Sequence, residues 1–217
     1  MNKIHLKIIL GILLISMFAI SFLSYKFLPE QITTHWDEKG LPNGNMPKLL
    51  GLFLIPLISL ALTFLFLFLP QIDPLKENIL KFENSYHGFI ILFISFMFII
   101  QTHLILWNLG FKINPLLFVL AFIITLFYYI GVLCEKSKRN WFIGIRNPWT
   151  LSSDFVWNKT NKLAGKFFKV SSILFLLCVF FPRILFYLIL IDIAIIIAST
   201  FVYSYKLYQK TNRKKES

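Results

Sequence analysis

Apolar residues run along this chain in six long stretches separated by short polar connections: Ile8 to Phe27, Leu49 to Leu69, Gly88 to Trp107, Pro115 to Cys134, Phe167 to Phe181 and Ile184 to Tyr205. A helix rises about 1.5 Å per residue, so twenty residues cover the roughly 30 Å hydrocarbon layer, and a helix satisfies its own backbone hydrogen bonds there. The pattern predicts an all-α, polytopic integral membrane bundle with six transmembrane helices. The fifth stretch is the shortest and would cover only about 22 Å. The spacing of Val156, Thr160, Leu163, Ala164 and Phe167 predicts a helix that starts near Asp154 and runs to Phe181, with Lys166 and Lys169 snorkelling to the surface.

Three modules follow: residues 1–70, two helices joined by a loop over 28–48; residues 71–134, a helical hairpin; and residues 135–217, with a long connection over 135–166 and a basic tail over 206–217. In the first loop Asp37-Glu38-Lys39-Gly40 suits a type I turn with Gly last, and Pro42-Asn43-Gly44 supplies a second turn. Pro56 cannot donate a backbone hydrogen bond, so a kink or local opening of the second helix is expected there. Asn147-Pro148 breaks any preceding helix, and Ser152 or Ser153 is placed to cap the next one. Pro182-Arg183 makes the turn into the last span. The Ala19-Ile20-Ser21 triplet imitates a signal-peptide cleavage site, but the apolar run around it is longer than a signal core, and it is read as a retained span.

Composition strengthens the membrane reading. The 217 residues are 57% hydrophobic and only 15% charged, a balance that would leave a water-soluble protein with large exposed apolar patches. Net charge is +12, and its distribution says more than its sum. With the N-terminus inside, seventeen Lys and Arg fall on inner segments and five on outer ones, which puts both termini in the cytoplasm (N-in/C-in) by the positive-inside rule. The loop over 28–48 then faces outward and the 135–166 connection inward. The excess charge reports orientation and attraction to anionic lipid, and direct binding of nucleic acid is not expected. Cys134 and Cys178 fall at different depths and are not expected to pair.

Two signatures carry a resemblance. The first is Pro29-Glu30-Gln31-Ile32-Thr33-Thr34-His35-Trp36 through Gly40 and Lys48, leading straight into a span. The second is Asn140-Trp141-Phe142-Ile143-Gly144-Ile145-Arg146-Asn147-Pro148-Trp149-Thr150-Leu151-Ser152, followed by Val156-Trp157 and Thr160. In this order, and with the six-span pattern, the chain resembles the bacterial SdpI immunity-protein family over nearly its whole length. Asn147 stands where that family commonly has Thr, and Asn161 where it commonly has His. The resemblance implies a multi-pass cell-membrane protein that protects its cell from a secreted peptide toxin. It also implies a signalling role in which a cytosolic transcriptional autorepressor is held at the membrane.

Candidate residues fall in three groups. On the outer loop His35, Trp36, Asp37 and Gly40 are candidates for toxin contact; the alternative for His35 is a hydrogen bond within the turn around Gly40, and for Trp36 an anchor at the interface. On the inner connection Gly144, Arg146, Pro148, Trp149 and Trp157 are candidates for contact with a partner or with lipid, since a guanidinium suits carboxylates and phosphates alike. Within the spans Asp192 is the sole acid, with Gln101 and His103 as polar neighbours by depth, and it serves either function or helix packing. A proton-coupled exporter built on Asp192 is the alternative function. A metal site from Asp37 and His103 lacks any ligand pair at fixed spacing, and no metal or cofactor is expected. No paired nucleophile and base or close pair of acids is present, so catalysis is not expected.

Overall fold

The computed structural model describes residues 2–181 and 184–216, with side chains through 211. Its helices are α1 (Lys3–Ser24), α2 (Lys48–Ile72), α3 (Lys76–Leu80), α4 (Glu83–Asn108), α5 (Pro115–Lys136), α6 (Pro148–Ser152), α7 (Asp154–Leu174) and α8 (Leu185–Glu216), and the strands are β1 (Gln31–Trp36) and β2 (Pro42–Pro47). Five helical segments are long and apolar enough to cross a membrane: Lys3–Phe27, Lys48–Ile72, Glu83–Asn108, Pro115–Lys136 and Leu185–Thr211. Between them they leave many large apolar side chains exposed, among them Ile15, Phe22, Phe64, Leu117 and Phe186, the surface that a bilayer and not water would cover.

The fifth expected span is built differently. α7 begins at Asp154 with Ser153 as its N-cap, as the spacing predicts, but it carries Lys159, Lys162, Lys166 and Lys169 along its length. It tightens into a 3-10 turn over Phe175–Val179 instead of running on to Phe181 as α-helix. Pro182 and Arg183, the expected turn into the last span, lie outside the described residues.

The loop over 28–48 folds as a β-hairpin, which an all-helical reading does not contain. Asp37 to Gly40 make the predicted turn: the Gly40 N–H donates to the Asp37 carbonyl at 2.9 Å, and Gly40 takes φ +77°, which glycine adopts without strain. Pro42, Asn43 and Gly44, expected as a second turn, are instead the first half of β2: Pro42 and Gly44 pair antiparallel with Trp36 and His35, and Asn43 stands between them at an irregularity in the register. The Pro side of a two-stranded ribbon has no neighbour to receive an N–H, so proline is tolerated there.

The chain divides into two compact units, residues 1–67 with 90–122 and residues 68–89 with 123–217. In the first, Leu28 and Ile32 from around β1 bury against Leu52 of α2 and Leu104 and Ile105 of α4. Gly51 lets the hairpin sit this close, since a Cβ there would stand 2.7 Å from Ile32 Cδ1. One polar knot joins three helices of this unit. Pro56 has no N–H for the carbonyl four residues before it, and that Leu52 carbonyl accepts from Gln101 Nε2 at 2.9 Å and from Ser21 Oγ at 3.1 Å. The local opening expected at Pro56 is thus filled by side chains from α1 and α4 in a helix that stays continuous.

In the second unit α5 and α7 approach through glycine. A Cβ at Gly131 would lie 2.7 Å from the Gly165 carbonyl oxygen, and one at Gly165 would lie 2.6 Å from that of Gly131. Small residues permit such approach between helices, and Lys169 donates to Glu135 beside the crossing at 2.5 Å.

Candidate functional site

Strand β1 is held along both of its edges. Along one edge β1 pairs with β2. Along the other, Asn108 at the end of α4 acts as a one-residue strand: its Oδ1 accepts from the Thr33 N–H at 2.8 Å and its Nδ2 donates to the Thr33 carbonyl at 2.9 Å. At the base Lys48, itself buried, donates to Glu30 Oε1 at 2.9 Å and lies 4.4 Å from the centre of the Tyr25 ring. The tip is ordered by Asp37, whose Oδ1 accepts from the Lys39 and Leu41 N–H groups at 2.9 and 2.8 Å. These contacts, the Leu41 N–H first, hold the Asp37 carboxyl below the ordinary carboxylate range.

Of the four residues proposed for this loop, His35 is exposed and donates from Nδ1 to Asn43 Oδ1 across the hairpin. Trp36 turns the other way. Its ring centre lies 5.3 Å from that of His103 and 5.4 Å from that of Trp107, and His103 donates from Nε2 to the Ile113 carbonyl at 2.8 Å. Trp36 and His103, drawn from different groups of candidates, therefore meet. Gly40 faces Asn114, whose Oδ1 would stand 2.5 Å from a Cβ there. The hairpin thus presents a face of His35, Glu38, Lys39 and Asn43 on a backbone that α2 and α4 fix.

The second candidate region, residues 137–161, is a network of backbone contacts made by buried amides and one buried acid. Asn140 is wholly buried, with Oδ1 accepting from the Phe142 and Ile143 N–H groups. Asp73, also buried, accepts from the Leu75 N–H with one oxygen and the Trp141 N–H with the other at 2.8 Å. Asn161 of α7 clamps Ile145: its Oδ1 accepts from that N–H at 2.7 Å and its Nδ2 donates to the same residue's carbonyl at 3.4 Å. Gly144 must be glycine for this to close. Its φ is +112°, and a Cβ would lie 2.6 Å from Asn161 Oδ1. Trp157 is fully buried beside it and donates from Nε1 to the Ser137 carbonyl.

Asn147 does more than break a preceding helix, since it caps α6 in a reciprocal bond pair with Thr150, with Pro148 in the first turn, and donates to Ser204 on α8 at 2.8 Å. Trp149 packs edge-on against Phe201 of α8, ring centres 4.7 Å apart. Of the five candidates in this region Arg146 and Pro148 are exposed, and Arg146 donates to the Trp141 carbonyl at 2.6 Å.

The intramembrane polar residues each have partners close by. Asp192 accepts from Ser171 of α7 at 2.7 Å through Oδ1, while Oδ2 has no hydrogen-bond partner among the described residues. Gln101 belongs to the knot at Pro56 and also donates to Ser21 Oγ at 2.6 Å. Among the described residues no group of three His, Cys, Asp or Glu could hold a metal. Sequence reasoning missed Asn108, Asp73, Asn140 and Ser171; only the β-branched run Ile32-Thr33-Thr34 hinted at the strand that Asn108 needs.

Two family models match the chain, and both fall on these regions. Residues 12–60, which include the whole hairpin, match the domain of unknown function DUF1648, and residues 136–204 match the SdpI/YfhL protein family. "Immunity protein SdpI" of Bacillus subtilis (strain 168) is 29% identical over 211 residues, covering 95% of this chain and 98% of that protein. No solved structure matches. Long apolar helices and a similarity that runs from end to end agree on a multi-pass cell-membrane protein. With both signatures in order along it, the chain carries a region similar to the SdpI/YfhL family over residues 136–204 and resembles that immunity protein over nearly its whole length.

Proposed function

We propose that this protein is a membrane immunity factor that protects its cell from a secreted, membrane-active peptide toxin. The observation that carries the reading is the similarity over nearly the full length to a protein named for immunity. The arrangement we propose has six spans with both termini in the cytoplasm, α7 with its 3-10 extension serving as the fifth, and three modules over 1–70, 71–134 and 135–217. The imbalance of seventeen inner against five outer basic residues supports this orientation. The hairpin then faces outward, where His35, Glu38, Lys39 and Asn43 meet the toxin, while Trp36, Asp37 and Gly40 keep that face in shape.

The 137–161 network faces the cytosol. Arg146 supplies its free guanidinium edge, and we propose that this face holds an autorepressor while Gly144 and the buried Trp157 and Asn161 fix its form. The work is recognition and needs no bond to be made or broken. Expression of the chain in a toxin-sensitive host, followed by challenge with the peptide of its native producer, tests it. Cells carrying the chain survive concentrations that kill the empty-vector control; equal killing of both overturns the proposal.

A further inference from the structure

Two lysines without a partner among the described residues stand at a polar pocket where one membrane-length helix starts and another ends. The pocket has a volume of about 380 Å³ and is lined by the turn from α3 into α4, Lys81 to Ser85, and by Glu135, Lys136 and Lys138 at the end of α5. Small-molecule sites begin at roughly 300 Å³, so the space suffices for a compact polar group. Lys136 and Lys138 are exposed, and their ammonium groups make no hydrogen bond, ion pair or ring contact among the described residues. Lys81 donates to Asn78 Oδ1 at 2.9 Å, which leaves further donors on its ammonium. The two carboxylates at the pocket, one of them engaged by Lys169, are outnumbered by three ammonium groups.

The ends of both helices are the ends of membrane-length apolar segments, so the pocket lies at the depth of lipid phosphates whichever way the chain is oriented. Lysine binds phosphate as a point charge, and basic pockets between membrane helices take anionic headgroups. We propose that this pocket binds a phosphate group, held by Lys81, Lys136 and Lys138. The source is an anionic lipid headgroup or free phosphate, and the inference is independent of the immunity reading.

The full chain in neutral detergent is titrated with phosphatidylglycerol, phosphatidylcholine and inorganic phosphate, and bound ligand is read by native mass spectrometry. Phosphatidylglycerol or inorganic phosphate is expected to bind in preference to phosphatidylcholine; displacement of the lipid by inorganic phosphate assigns the site to free phosphate, and failure to displace it assigns the site to the headgroup. The double variant K136Q/K138Q should weaken binding by roughly thirtyfold, about fivefold per lysine. K136R/K138R should retain it, and N84W, which fills the pocket at constant charge, should weaken it too. K159Q/K162Q removes as much charge elsewhere and should leave it unchanged. Equal retention of the neutral lipid, equal loss in K159Q/K162Q, or unaltered binding in N84W would each overturn the inference.

Discussion

Buried amide side chains do most of the positioning at the residue scale. Asn161, wholly buried, gives one backbone unit of Ile145 both the acceptor and the donor it needs. N161A should cost roughly 1–3 kcal/mol, because it leaves the part-buried Ile145 N–H without a partner. G144A should cost a similar amount by forcing a side chain into the left-handed region against that amide. Thermal unfolding in detergent measures both, and wild-type midpoints would remove the clamp from the account. Asp37 sets a pH dependence at the hairpin tip. Its folded value lies below the ordinary 3.8, so the turn's stabilisation is complete above that value and is lost as pH falls through the lower, folded one. Amide exchange at Lys39 and Leu41 should therefore quicken only in strong acid, whereas D37N should exchange faster than wild type at neutral pH and show no such acid step.

At the scale of elements, the knot at Pro56 explains how a helix-breaking residue sits inside a continuous membrane helix. The Leu52 carbonyl that Pro56 cannot engage takes its bonds from Gln101 and Ser21. Hydrogen bonds between membrane helices average about 0.6 kcal/mol and reach about 1.7, so Q101L should destabilise within that range. In a P56A background the backbone regains an N–H that can reach the Leu52 carbonyl, and the cost of Q101L should shrink. A double-mutant cycle on unfolding checks this, and a coupling of zero would contradict it.

The elements also show what the sequence makes legible. Apolar runs placed α1, α2, α4 and α5 to within about five residues, and Asp37 to Gly40 announced their turn, because both signals are local; α8 instead runs on past Tyr205 to Glu216, through the stretch expected as a basic tail. The hairpin was not legible, since Pro42, Asn43 and Gly44 read as a turn and are held as strand by β1, which is itself held by Asn108, 75 residues beyond the Thr33 it bonds. The site residues followed the same division. Gly144 and Arg146 stood out in their motif, while nothing local marks the bond of Asp73 to the Trp141 N–H, because that partner lies 68 residues along the chain and is brought near only by the fold.

Across the whole molecule, the functional reading depends on which faces of this membrane protein meet the outside. The hairpin can meet a secreted toxin only if it lies beyond the membrane, and the Arg146 segment can meet a cytosolic partner only if it lies within. Single cysteines at Asn45 in β2 and at Arg146, introduced after the native Cys134 and Cys178 are replaced, can be offered a membrane-impermeant thiol reagent on intact cells. The account predicts that N45C is labelled at once and R146C only after the membrane is permeabilised. Labelling of R146C on intact cells, with N45C protected, would contradict it.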